Sequence, residues 1–330
     1  MASCEVASTT ALDLSGEGLT AMDEAAMDRG PPSAAELVEL SMMHNRITAI
    51  ANLEPCTALR KLSLRANRIE AIRGLECCTA LCELELYENQ ISSLGGLAGL
   101  RHLSVLDVSF NQIDRIDCIA SAGLDSLSSL YLAHNKISRI EGLDGLPSLC
   151  LLELGSNSIR TIENLAAVPT LTELHLGRNK LRALDEGLHA LTALRVLGLA
   201  SNRLQALDGV EPLVALRELY ADHNQIASIA PVAALAALQT LDLCANRVDT
   251  LGPCGSLMQL EELWLCNNTI AAMEQLEPLR GLPQLQTLRL AGCPLAAAEG
   301  YRARVEAAHP NLLQLDADLI RRVARERDDR

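Results

Sequence analysis

The stretch Leu149–Ile159, LCLLELGSNSI, decides the fold. Leucines at 149, 152 and 154 and an asparagine at 157 lie in the frame L-x-x-L-x-L-x-x-N-x-I/L/V. The same frame surrounds asparagines 45, 67, 89, 111, 135, 157, 179, 202, 224, 246 and 268. The steps between them are 22, 22, 22, 24, 22, 22, 23, 22, 22 and 22 residues. Two degenerate copies flank the series, with Glu17 and Cys293 in the asparagine position, so the chain reads as thirteen units. Self-similarity at this period marks a repeat architecture. Within each unit L-x-L alternates with period two, which predicts a short strand with leucines inward and the x residues outward. One unit cannot bury its own leucines, so neighbours must stack. The expectation is an α/β repeat solenoid with a parallel sheet. The asparagine should be buried where the strand bends away, its amide satisfying loop backbone in a ladder.

Composition fits such a core. The 330 residues include 64 leucines but only six aromatic residues: Tyr87, Phe110, Tyr131, Tyr220, Trp264 and Tyr301. The chain is too apolar for disorder and too poor in glycine for collagen. This frame is that of the leucine-rich repeat. The resemblance implies a horseshoe of about 13 mostly 22-residue repeats with a parallel concave sheet. The expected organisation is a disordered segment over 1–8, a solenoid over 9–293, a C-terminal cap over 294–322 and a charged tail over 323–330. In the cap, Tyr301–Ile320 reads as a helix broken at Pro310 and then a strand-like turn. Phe110, just before Asn111, is expected to pack behind the strand.

The x residues carry the functional signal. From Glu83 to Cys266 they include nine acids, Glu83, Glu85, Asp107, Glu153, Glu173, Glu218, Asp222, Asp242 and Glu262, and no Lys or Arg. Tyr87, Tyr131, Tyr220 and Trp264 share these positions, with His175 between them. Strand propensity and a solvated face are the bland explanations. Neither accounts for buried positions without rings, or for Arg46, Arg68, Lys136, Lys180, Arg203 and Arg247 all following the asparagines instead. Exposed rings among acids point to interface anchors. The candidate partner-binding residues are therefore Glu83, Glu85, Tyr87, Asp107, Tyr131, Glu153, Glu173, His175, Tyr220, Asp222, Asp242, Glu262 and Trp264.

The formal charge is −14. This disfavours nucleic acid and anionic membranes and favours a basic protein surface. There is no secretory signal pattern, and Ile226–Leu241 is too short to span a bilayer. No phosphate loop, zincin motif or nucleophile elbow occurs, so neither an enzyme nor a cofactor is expected. Cys77, Cys78 and Cys82 lack partners at zinc-like spacing, so no metal site is expected. Cys244 and Cys266 take the same outward position in adjacent units, and two free thiols are expected there rather than a disulfide.

Unit-specific strings go beyond the generic frame: ELYENQI at Glu85–Ile91, LDVSFNQI at Leu106–Ile113, LLELGSNSIRTIENL at Leu151–Leu165, LRELYADHN at Leu216–Asn224 and EELWLCNN at Glu261–Asn268. With the terminal YRARVEAAHP…LD they make the stretch from about Leu37 to Arg322 resemble the leucine-rich-repeat regulatory subunits of protein phosphatase 1 (the regulatory subunit 7 family). The resemblance implies a non-catalytic protein whose concave face binds the phosphatase catalytic subunit. Position by position it implies contacts from Asp107, Tyr131, Glu153, Asp242, Glu262 and Trp264. His175 and Arg289 stand where that family tends to an aromatic residue, which implies altered contacts there. It further implies a nuclear and cytoplasmic location, with room for a further phosphatase regulator in a ternary complex. The linear docking motif of many phosphatase partners, basic-x-Val/Ile-x-Phe/Trp, is absent: Leu106 and Leu260 precede Phe110 and Trp264 by four. The alternative reading is an interaction scaffold of the axonemal or cytoskeletal leucine-rich-repeat type.

Overall fold

A computed structural model describes residues 10–23, 33–116 and 119–320. The segments expected as a disordered start and a charged tail lie outside the described residues. The chain divides into two units at Asn179/Lys180.

The first unit holds eight three-residue strands, β1 Ala11–Asp13, β2 Glu39–Ser41, β3 Lys61–Ser63, β4 Glu83–Glu85, β5 Val105–Asp107, β6 Ser129–Tyr131, β7 Leu151–Glu153 and β8 Glu173–His175. Each pairs in parallel with the next, and the registers match repeat positions: Leu84 faces Leu106, and Leu130 faces Leu152. The central leucine of each strand from β2 on is buried, and so is the leucine two residues later in most units. The second unit repeats the plan with β9 Val196–Gly198, β10 Glu218–Tyr220, β11 Thr240–Asp242, β12 Glu262–Trp264 and β13 Thr287–Arg289. Short 3-10 segments such as Ala230–Ala234, Gly252–Ser256 and Met273–Gly281 make the return path, because 22 residues leave no room for a full helix.

Asparagines tie successive levels together. Asn67 donates through Nδ2 to Met42 O (2.9 Å) and Leu64 O (3.0 Å), and its Oδ1 accepts from Ile47 N–H at 3.0 Å. The pattern recurs at Asn89, Asn111, Asn157 and Asn179 in the first unit and at Asn246 and Asn268 in the second. A loop bending away from a sheet strands its own polar backbone groups. A carboxamide offers two N–H donors and a carbonyl acceptor without charge, which is what these groups require.

The residue before each of the eleven asparagines of the repeat frame has a left-handed backbone. The φ values run from 53° at His134 to 58° at Glu88. None of the eleven is β-branched, as that conformation requires. This geometry corrects the expectation for Phe110. With φ 56° its side chain is turned out of the core and is 40% exposed. Its ring stacks on His134 at 4.1 Å (18° between planes) and meets Tyr87 at 4.8 Å.

The last repeat edge is covered by helix α1, Tyr301–Ala308, and two short strands, β14 Gln314–Leu315 and β15 Asp318–Leu319. β14 extends the sheet in parallel beside β13, and β15 returns antiparallel to it. Asp316 pins this edge by accepting from Leu290 N–H (2.7 Å) and Tyr301 OH (3.0 Å). Cys293, in the asparagine position, is buried and donates through Sγ to Leu265 O at 3.1 Å.

A candidate protein-binding face

All thirteen candidate residues project from the strands or from the residue two positions beyond them, on the side away from the leucines. Twelve are half-buried. Asp242, at 9%, is buried, and its register partners on either side are Tyr220 and Trp264.

In the first unit, Glu83 and Glu85 are engaged from within. Lys61 Nζ lies 2.8 Å from Glu83 Oε1, and Ser63 Oγ donates to Glu85 Oε2 at 2.7 Å. Tyr87 carries the Arg65 guanidinium over its ring at 4.9 Å. The three residues that follow along the sheet are placed differently. Asp107 Oδ1 accepts the Ser109 N–H at 2.9 Å, and Glu153 accepts the Gly155 N–H in the same way. Each carboxylate is aimed by its own backbone, and among the described residues no cation lies at ion-pair distance from it. Tyr131 stands between them, its register partners being Asp107 and Glu153. Burial, then Asp107, Glu173 and Glu153, hold its phenol above the ordinary value. His175 Nε2 is 3.9 Å from Glu173 Oε2.

Glu153 is also held above the usual carboxylate range, chiefly by burial. The Gly155 N–H and His175 act against that shift. A raised folded-state value means that the neutral form is favoured by folding. Its stabilisation is present below the unfolded value of about 4.3 and is lost as pH rises through the folded value. Glu153→Gln, whose carboxamide oxygen can still accept from Gly155, should therefore melt at a higher temperature than the parent at pH 7. The gap should close on acidification below about pH 4. Calorimetry across that range checks the sign, and a variant less stable at pH 7 contradicts it.

In the second unit, Tyr220 and Trp264 approach at 6.5 Å between ring centroids. Tyr220 OH donates to Glu218 Oε2 at 2.8 Å, and burial followed by that bond pushes its phenol up to about 12. Asp242 repeats the device of Asp107, accepting the Cys244 N–H at 2.9 Å, and burial raises its acid. Asp222 Oδ2 lies 2.7 Å from His223 Nδ1. The Arg289 guanidinium sits over Trp264 at 4.4 Å. Two donors here, Trp264 Nε1–H and Arg289 Nε–H, are buried and have no protein acceptor.

Sequence reasoning missed several parts of this face. The Lys61 and Arg65 contacts depend on lateral neighbours, and the backbone anchors at Ser109, Gly155 and Cys244 depend on the local turn after each strand. The Phe110–His134 stack also depends on lateral neighbours. The repeat register, which fixes who stands beside whom, would have shown the first two. Among the described residues there is no group of His, Cys, Asp or Glu able to hold a metal ion, and no helix is long and apolar enough to cross a membrane.

Residues 57–113, 101–159 and 169–226 match the family model described as leucine rich repeat. No curated protein matches the chain. Among solved structures, it is similar to a leucine-rich-repeat protein of Leptospira interrogans, with TM-score 0.70, 22% identity, 92% of this chain and 94% of that one covered. It is also similar to an internalin of Listeria monocytogenes, with TM-score 0.64, 22% identity and coverage of 90% and 93%. A third similar structure is the ectodomain of the Arabidopsis thaliana receptor kinase GASSHO1/SCHENGEN3 in complex with CASPARIAN STRIP INTEGRITY FACTOR 2. There the TM-score is 0.55 and the identity 22%, with 78% of this chain and 39% of that one covered. Solenoids of this kind typically serve as non-enzymatic scaffolds for protein interactions. The repeat frame, the parallel stacking of its strands and these likenesses agree: the chain has the leucine-rich-repeat fold.

Proposed function

We propose that the protein is a non-catalytic regulatory subunit that binds the catalytic subunit of protein phosphatase 1 through the acidic and aromatic face of its sheet. The observation that carries this reading is the way the acids are held. Asp107, Glu153 and Asp242 each accept a backbone N–H two residues on, which orients a carboxylate without neutralising it. Burial opposes the charge of Glu153 and Asp242. Carboxylates partly or wholly buried without a bound cation cost folding stability and favour capture of a basic partner surface. Tyr131 and Trp264 beside them supply large apolar contacts of the type that dominate interfaces. The order of the unit-specific strings supports the phosphatase as that partner, in nucleus and cytoplasm, with a further phosphatase regulator as a third component. Arg289 over Trp264 alters the contact at that edge. The two orphaned donors there suit a carbonyl or carboxylate of the partner.

The test is purification of the tagged full chain from cells, followed by mass spectrometry. The expected result is recovery of the phosphatase catalytic subunit in a stable complex. Recovery of dynein- or tubulin-associated proteins without phosphatase would replace this reading by that of an axonemal or cytoskeletal scaffold.

A further inference from the structure

Cys244 and Cys266 occupy equivalent places two residues beyond Asp242 and Trp264, which are register partners in β11 and β12. The ladder continues past the strands. Leu243 N–H donates to Trp264 O at 2.8 Å, and Ala245 N–H donates to Cys266 O at 2.7 Å. The two cysteines therefore stand side by side on one face. Neighbouring strands lie about 4.8 Å apart, within the Cα separation of about 4.4–6.8 Å that a disulfide spans. Both are free thiols and both are partly accessible.

Among the described residues, the other cysteines lack one of these properties. Cys56 and Cys78 stack in successive units but are buried, as are Cys254 and Cys293. Cys77 and Cys150 are exposed, and no facing thiol accompanies them on their loops.

We propose that Cys244 and Cys266 form an oxidation site that closes a disulfide across β11 and β12 when the protein meets a peroxide. The Cys266 thiolate attacks one peroxide oxygen. The O–O bond breaks, hydroxide leaves, and a sulfenic acid forms. The Cys244 sulfur then attacks the Cys266 sulfur, expelling the sulfenic hydroxyl as water and giving up its own proton. Two thiols and one hydrogen peroxide become one disulfide and two waters, so two electrons pass from sulfur to oxygen. The order of attack follows from the surroundings. Burial and the adjacent Asp242 hold the Cys244 thiol protonated, well above the ordinary range. Cys244 therefore resolves rather than initiates. This site depends on the strand register alone and is independent of the partner's identity.

The test is titration of the reduced full-length protein with hydrogen peroxide, then alkylation and peptide mapping without reduction. The expected product is a linked pair of peptides carrying Cys244 and Cys266, with the loss of two alkylatable thiols at those positions. Cys244→Ser should abolish the linked product and leave Cys266 as a sulfenic acid trapped by a dimedone-type reagent. Cys266→Ser should abolish the link without trapping at Cys244. Circular dichroism confirms that both variants fold. The proposal is overturned if oxidation stops at Cys77 and Cys150. It is overturned equally if Cys266 proceeds to sulfinic acid unlinked, or if it links instead to Cys293.

Discussion

Replacing Trp264 and Glu153 together by alanine should weaken binding of the phosphatase catalytic subunit by about three orders of magnitude, while the fold survives. The estimate has two parts. Truncating an interface tryptophan typically costs about 2 kcal/mol or more. Loss of a charge-assisted contact to a carboxylate costs about 1.5–3 kcal/mol. If the contacts act independently, the sum is roughly 4 kcal/mol, close to a thousand-fold in Kd. Neither side chain holds the repeat together. Trp264 gives no hydrogen bond through Nε1 to the protein, and Glu153 accepts one from its own local backbone. A control at Val214, 61% exposed and away from the strands, should leave binding unchanged. Titration calorimetry at physiological salt measures the effect. Normal co-elution of the double variant at micromolar concentrations would refute the residue assignment.

The second large effect concerns stability. Asn157→Ala should destabilise the folded chain by about 2–4 kcal/mol, read as a lower urea midpoint. Asn157 Nδ2 donates to Leu132 O at 2.9 Å and Leu154 O at 3.0 Å, and Oδ1 accepts from Ile137 N–H at 3.0 Å. The two carbonyls keep a second donor each, from Asn135 and Asn179. The Ile137 N–H has no such reserve, so its desolvation is the main loss. Asn157→Asp separates the two halves of the amide. It preserves the acceptor for Ile137 but puts an anion against two carbonyl oxygens, so it should be at least as damaging as alanine. An aspartate variant as stable as the parent would show that the donor half contributes nothing.

The core and the face were legible in the sequence to different depths. A leucine every second strand residue and an asparagine every 22 residues can be satisfied only by stacking, so strands, registers and the buried amide ladder follow from spacing. The outward residues follow from the same alternation. Phe110 was misread because its place lies just past the strand, where alternation has ended. Its direction is set there by a left-handed φ that no residue type announces, since Glu, Ala, Ser and Arg take the same position elsewhere. The burial of Asp242 was also invisible, since its register partners Tyr220 and Trp264 lie on the neighbouring strands.

The scarcity of rings and the sign of the outward charges are properties of the sequence alone. They mark which face of each strand is available for a partner, because buried positions are already filled by leucine. Tertiary structure decided which of those acids are free to act. Glu83 and Glu85 lie beside Lys61 and Ser63, whereas Asp107, Glu153 and Asp242 each accept a backbone N–H two residues on. A one-dimensional pattern fixes direction toward or away from the core. The lateral neighbour that neutralises a charge, covers it or pairs two thiols sits a full repeat away, and only stacking brings it within reach.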